Sequence, residues 1–370
     1  MRYLWLHITA IIEQYAGELP LTHYLRGYFK RFPVLGSRDR RMLSTLAYCW
    51  YRAAKGVAGG GYTREQQLGL CLRLCGAWDE RFARMFADVD IPDDVTIDVQ
   101  RLFPDGVALS RGITREEWLT SMLRQPDLFI RVRRNRQQIE GLLQQAGISY
   151  RYVTENCMAL PNGAAIDKLL PQAVYVVQDA SSQATGRLLD AKTGERWYDC
   201  CCGAGGKSLM LVDSCPHVLL TASDRRATIL NNLRERFRMY SLPMPLTVVA
   251  DAADAVQVQR IAGGRPFDNI IADVPCTGSG TWARTPEQLY FFDAGKVAEL
   301  AVLQSRIAVN AAAALRPGGR LIYITCSVFR QENEDVVQAI VAETGLKVVH
   351  EGLINGIDIA ADCMYAAVLQ

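Results

Sequence analysis

A membrane-crossing helix needs about 18 uninterrupted apolar residues, and no stretch of this 370-residue chain supplies them. The opening segment to Pro20 has an apolar centre but carries Glu13 and Glu18 where a signal peptide needs a small-residue cleavage site, and it reads as an amphipathic first helix. Eleven cysteines are too sparse for a disulfide scaffold at this length, and Cys71 and Cys75 have no second pair to complete a zinc site. No metal is expected, and the compartment is expected to be reducing, hence cytoplasmic. An excess of one charge is also missing. The 41 Lys and Arg against 39 Asp and Glu leave +2, so any affinity for nucleic acid must come from a local patch. Repeats and low-complexity tracts are absent, and 49% hydrophobic with 22% charged residues excludes a disordered or collagen-like chain.

At roughly 150 residues per domain, the length suits about two to three domains. Up to Arg84 the apolar residues recur at helical spacing, as in Leu4, Ile8, Ile11, Ile12, Tyr15 and again in Met42, Leu43, Leu46, Ala47, Trp50, which predicts a helical bundle. Between Pro20 and Gly56 the basic residues Arg26, Lys30, Arg31, Arg38, Arg40, Arg41, Arg52 and Lys55 face one acid, Asp39. They form either a solvated face or a surface for RNA backbone. The stretch from Asp88 to Asp98 reads as a connection. After Pro126, Leu-Phe-Ile-Arg-Val-Arg-Arg-Asn-Arg alternates like a half-buried strand. A helix over Ile139 to Ala146 and a strand over Ile148 to Val153 make a small α+β unit.

From Tyr175 short β-branched runs alternate with amphipathic stretches. Strands are expected at Arg196 to Cys200, His217 to Ser223, Leu246 to Ala250, Phe267 to Ala272, Gly319 to Thr325, near Leu346 to Val349 and at Tyr365 to Leu369. This is the pattern of a doubly wound sheet, which binds ligands at the carboxyl ends of its strands. The expected division is 1–125, helical; 126–174, small α+β; and 175–370, α/β.

The first of these α/β strands runs into Asp199-Cys200-Cys201-Cys202-Gly203-Ala204-Gly205-Gly206-Lys207-Ser208. Glycines let backbone approach a ligand, and the following helix offers free amide donors. A phosphate-binding loop needs glycine where Cys201 stands, and a dinucleotide fingerprint needs its third glycine at Ser208. The remaining reading is a nucleoside ligand with no phosphate to cradle, such as S-adenosylmethionine. Asp224 ends the second strand, 19 positions after Gly205, where an acid commonly grips ribose hydroxyls. Asp251 and Asp273 follow the third and fourth strands. Each aspartate alone also reads as a helix cap.

Cys276, in Asp273-Val274-Pro275-Cys276-Thr277-Gly278-Ser279-Gly280, and Cys326, in Thr325-Cys326-Ser327, both fall at the ligand edge. Elsewhere a lone cysteine is usually a small buried hydrophobe. Here a thiol suits one particular methylation. Carbon 5 of a pyrimidine attacks a sulfonium methyl only after a thiolate has added to carbon 6. A thiol of pKa about 8.5 needs activation for this, and Lys207 is a candidate. Asp273 can hydrogen-bond the pyrimidine at N3 and draw electron density away.

At these residues the chain resembles the RNA 5-methylcytosine methyltransferases, most closely the bacterial branch acting on small-subunit ribosomal RNA. The resemblance rests on Gln178-Asp179-Ala180-Ser181-Ser182-Gln183, Cys201 to Lys207, Asp224, Asp251 and Asp273 to Gly280 with Arg284-Thr285-Pro286-Glu287. It continues through Thr325-Cys326-Ser327 and Glu332-Asn333-Glu334. It implies a Rossmann-like, S-adenosylmethionine-dependent methyltransferase domain with a seven-stranded sheet, preceded by a small RNA-recognition-like α+β unit and an all-α NusB-like RNA-binding bundle. It makes Cys326 the nucleophile and Cys276 the assistant in product release, with Asp273 the third catalytic residue. It implies cofactor contacts from Cys201, Cys202, Gly203, Ala204, Gly205, Gly206, Lys207, Asp224, Asp251 and Asp273. RNA contacts are expected at Arg38, Arg40, Arg41, Arg131 and Arg133.

The sequence departs from the family twice. Cys202-Gly203-Ala204 replaces Ala-Ala-Pro in the loop, which is expected to loosen the turn. The final Asp-Gly-aromatic-aromatic motif appears as Asp362-Cys363-Met364-Tyr365. The implied activity is methylation of carbon 5 of a cytosine in RNA, with 16S ribosomal RNA as the expected substrate and neither DNA nor a membrane as partner, by a monomer. Competing readings are a non-catalytic RNA-binding ribosome-assembly factor and a transfer-RNA cytosine-5 methyltransferase.

Overall fold

A computed structural model of the chain describes residues 2–93, 97–104 and 106–370. Residues 94–96 of the expected connection lie outside that description. The chain forms two units. The first comprises Met1–Val107, Thr114–Gln125 and Thr281–Asp293. The second comprises Ala108–Ile113, Pro126–Gly280 and Ala294–Gln370.

The first unit is helical, as its apolar spacing predicts. Leu4, Ile8 and Ile11 line one side of helix Arg2–Gln14 and are buried, as is Tyr15 just beyond its end. Met42, Leu43, Leu46, Ala47 and Trp50 do the same on helix Ser37–Val57. Two of the basic residues read as surface are not. Arg52 is 3% exposed and donates to the Met122 carbonyl at 2.8 Å, and Lys55 donates to the Tyr290 carbonyl at 2.5 Å. Both lie on the turns of the helix that face the core, where their charge serves backbone carbonyls. The segment 281–293, expected to belong to the α/β domain, packs in this unit. Trp282 lies against Trp118, and Glu287 accepts the Leu21 N–H at 3.0 Å, capping a helix start that has no side-chain cap of its own.

The second unit holds two sheets. Strands β1 (Leu128–Val132), β2 (Arg151–Thr154), β3 (Cys157–Leu160) and β4 (Tyr175–Val177) pair antiparallel in the order β2-β3-β1-β4, with Ile139 and Leu143 of helix Arg136–Gln145 in their core. β3 and β4 were not expected, because four and three residues carry too little alternation to read. β4 also carries the small sheet past the expected boundary at 174/175. The larger sheet contains β5 (Arg196–Asp199), β6 (Leu219–Asp224), β7 (Leu246–Val249), β8 (Phe267–Asp273), β9 (Leu315–Thr325), β10 (Val348–Ile354) and β11 (Met364–Leu369). Their order is β10-β11-β9-β8-β5-β6-β7, with β11 antiparallel to both neighbours and β5 to β9 parallel.

Alternation along these strands fills a core on each face. Trp197, Ile271, Ile322 and Ile324 enter one, and Tyr198, Ile270, Leu321 and Tyr323 the other. β9 starts earlier than expected and β10 begins at Val348 and runs to Ile354, beyond the stretch expected near 346–349. The chain runs from β5 outward through β6 to β7, then returns to the other side of β5 for β8. The crevice at the carboxyl ends of β5 and β8 is therefore the switch point where such sheets take ligands.

Candidate active site

A cavity of ≈ 430 Å³ opens at that switch point, lined among others by Cys201, Asp224, Asp251, Asp273, Cys276 and Cys326. Four expected cofactor contacts and both expected cysteines thus converge, although 125 positions separate Cys201 from Cys326 in the chain.

Two loops present the sulfurs. Their close approach needs Gly280, since a Cβ there would stand 2.1 Å from the Cys363 carbonyl oxygen and 3.0 Å from that of Cys326. The Gly280 N–H donates to the Cys326 carbonyl at 2.9 Å. Beneath the loops lies the fully buried Glu332 carboxylate. One oxygen accepts from the Thr277 N–H (2.8 Å) and Gln304 Nε2 (2.9 Å), the other from the hydroxyls of Thr277 and Ser327 (both 2.5 Å). It fastens the Pro-Cys-Thr loop to the Thr-Cys-Ser loop through charge-assisted hydrogen bonds. Asn333 accepts from Thr325 and donates to the Ser327 carbonyl. The Glu-Asn-Glu sequence is thus a clasp for the site. Gln304, which also donates to the Pro275 carbonyl, sits in a helix with no motif to reveal it.

The clasp leaves the Cys276 and Cys326 sulfurs 3.3 Å apart. The hydrogen bond with Cys326, followed by burial, pushes the Cys276 thiol well above its ordinary pKa. Cys276 Sγ also accepts the Cys326 N–H at 3.3 Å. Lys207, the candidate thiol activator, is engaged by two other groups. Its ammonium, 6% exposed, lies 3.2 Å from Asp273 and donates to Ser182 Oγ at 3.0 Å. Asp273 itself is 32% exposed and opens on the cavity.

The glycine-rich turn is built as a cradle. Gly203 and Gly205 adopt φ of +51° and +84°, and the Gly205 turn sits against Leu233. The missing proline, expected to loosen this turn, is offset by Arg236, which donates to the Ala204 carbonyl at 2.7 Å. Cys200 and Cys202 pack into the cores on opposite faces of the sheet, while Cys200 and Cys201 line the cavity. Cys202, Gly203, Ala204, Gly205, Gly206 and Lys207 shape the turn without lining the cavity. Asp224 lines the cavity and accepts the Arg226 N–H at 2.9 Å. Burial alone would raise its pKa, but the Arg226 side chain and backbone N–H hold it below the ordinary carboxylate range. Asp251 likewise accepts the Ala253 N–H at 2.9 Å while lining the cavity.

Asp199, at the end of β5, drew no notice in the sequence. It is 1% exposed, takes the Ser208 hydroxyl at 2.6 Å, and burial pushes its pKa to about 7.

Of the expected RNA contacts, Arg38 and Arg41 are exposed, while Arg40 is half-buried and donates to the Leu35 carbonyl at 2.7 Å. Arg131 and Arg133 do not present free guanidinium groups. They are 12% and 9% exposed and share Asp213 at 2.7 Å each. The alternating pattern placed them correctly on a strand, but it did not show the acid that the helix Gly206–Ser214 brings to them.

Residues 186–359 match the family described as 16S rRNA methyltransferase RsmB/F. A ribosomal RNA small subunit methyltransferase B from Vibrio cholerae is 32% identical over 213 residues, covering 56% of this chain and 48% of that protein. The chain spans about half the length of the curated relatives it matches. Among solved structures, that of PH0851 superposes with a TM-score of 0.73 at 19% identity, covering 95% of this chain and 94% of that one. The structure of NSun6 from Pyrococcus horikoshii with SFG superposes at 0.60 and 16% identity, covering 69% and 93%. These likenesses show the Rossmann-like methyltransferase fold expected from the sequence. The matched stretch, residues 186–359, carries the glycine-rich turn, the three strand-end aspartates and both cavity cysteines.

Proposed function

We propose that this chain methylates carbon 5 of a cytosine in RNA, with small-subunit ribosomal RNA as substrate and S-adenosylmethionine as donor. The observation that carries this reading is the pair of sulfurs 3.3 Å apart in the cavity that also holds Asp224, Asp251 and Asp273. The cavity suits the donor. It lies beside a glycine cradle, and its carboxylates Asp224 and Asp251 can take ribose hydroxyls, the first once the largely exposed Arg226 side chain shifts. When bound there, S-adenosylmethionine supplies an electrophilic methyl group.

The chain's own residues do the rest. Cys326 gives its thiol proton to the Asp273 carboxylate of the same cavity and adds as a thiolate to C6 of the cytosine, and the electron pair gained by the ring makes C5 nucleophilic. Asp273, positioned by Lys207, hands that proton to N3 as the ring gains its electron pair, and so polarises the base. After methylation, a base in the cavity removes the C5 proton. The C6–S bond then breaks, and its electron pair returns to Cys326. Cys276 is the thiol placed to hand that sulfur a proton. The target base must leave its stack at a cost of a few kcal/mol. Arg38, Arg40 and Arg41 offer backbone contacts that offset it.

Methyl incorporation into protein-free small-subunit ribosomal RNA tests the reading. Wild type should label it, and Cys326→Ala should not. RNA containing 5-fluorocytosine should be trapped covalently by wild type alone. Labelling by Cys326→Ala, or no trapping with donor present, refutes the mechanism. Binding without any labelling favours a ribosome-assembly role.

A further inference from the structure

A second cavity, larger than the one at the switch point, holds neither the Cys276 nor the Cys326 sulfur. It is a groove of ≈ 600 Å³ on the flank of the small sheet, lined in part by Arg131, Arg133, Arg134, Arg187, Ser181 and Asn156. That volume lies within the range of about 300–1,000 Å³ that ligand sites occupy. Its charge is one-sided, with four arginines and, among its lining residues, the single acid Asp213. On a chain whose total is only +2, this is a local concentration of positive charge. The arginines divide into two kinds. Arg131 and Arg133 are fixed on Asp213. Arg134 and Arg187 are exposed and have no acid within ion-pair distance among the described residues.

A chain of hydrogen bonds links the groove to the catalytic cavity. Arg131 donates to Gln178, Gln178 donates to Ser182, and Ser182 accepts from the Lys207 that pairs with Asp273. Ser181, next to Ser182, lines the groove.

We propose that this groove holds the sugar–phosphate backbone of the RNA strand beside the nucleotide being modified, with Arg134 and Arg187 as its phosphate contacts. The inference rests on the RNA reading above. Fixed guanidinium groups on the floor set the field, while the two unpaired ones close on phosphate oxygens, which they can meet bidentately. Thr154 and Asn156, both exposed on the groove, supply hydroxyl and amide groups for 2′-hydroxyls. An acidic peptide would satisfy the charge but leave those neutral polar groups without a role.

The test is binding of a fluorescent single-stranded RNA 12-mer across salt concentrations, by wild type, the double variant Arg134→Ala/Arg187→Ala, and Arg260→Ala, an exposed arginine outside the groove. Each lost contact to a single strand lowers the slope of log K against log salt by about 0.7. The double variant should therefore lose about 1.4 in slope and bind roughly tenfold more weakly. In methylation assays its KM for RNA should rise while kcat and donor affinity stay at wild-type values. An unchanged slope, or an equal loss in Arg260→Ala, overturns the groove assignment. Equal displacement by a poly-glutamate peptide and by RNA does the same. Because binding is read directly, wild-type binding without methyl transfer sinks the activity reading but not the groove. Wild type that fails to bind RNA sinks both.

Discussion

Replacing Glu332 with alanine removes at once the acceptor of four hydrogen bonds from three residues. The hydroxyls of Thr277 and Ser327 can turn to other acceptors, since Ser327 Oγ already lies 3.1 Å from Ser279 Oγ. The Thr277 N–H and one Gln304 N–H cannot, and a buried unsatisfied donor costs about 1–3 kcal/mol. With the cavity left by the side chain, the loss comes to about 3–6 kcal/mol. Glu332→Gln keeps the shape and one carbonyl oxygen for those two N–H groups, and both hydroxyls can accept from the new amide. It should cost no more than about 2 kcal/mol. Urea unfolding at unchanged m value measures the two losses. Amide exchange at Thr277 and Cys326 reads the clasp directly, and methyl transfer should follow the same order, wild type above Gln above Ala. An alanine variant that loses less than about 1 kcal/mol, or a glutamine variant as damaged as alanine, would refute the claim that this carboxylate holds the two cysteine loops together.

Gly280→Ala should destabilise the second unit by about 3 kcal/mol, because the new Cβ meets backbone that cannot rotate away; a thermal melt within 1 °C of wild type, about the precision of such a scan, would contradict the packing. Asp199 titrates at about 7 in the folded chain against an ordinary 3.8, so the folded state binds the extra proton between those values and stability falls as pH rises through them. The full effect is of order 4 kcal/mol, absent below pH 4 and complete above pH 7, and Asp199→Asn should remove it from a plot of unfolding free energy against pH. Cys276→Ala should still form the adduct but release RNA slowly, so that protein–RNA complex resistant to denaturing gels accumulates; absence of adduct in this variant would move the nucleophile's role to Cys276.

Much of this protein could be read from local sequence. Helix faces such as Leu4-Ile8-Ile11 and strands such as Phe267–Asp273 are set by periodicity, which acts over a few residues and needs no partner to be recognised. The same holds for the acids at strand ends and the cysteines after them, because a parallel sheet delivers those positions to one edge whatever its sequence. Tertiary structure alone decided what each charge meets. Arg131 and Arg133 found Asp213, Lys207 turned to Asp273, Arg52 went into a helical core, and Glu332 gathered donors from residues up to 55 positions away. A hydrophobic pattern repeats along one chain segment and so announces itself. A buried charge is settled by whichever donors the finished fold brings within 3 Å or so, and that proximity has no signature in any local stretch of sequence.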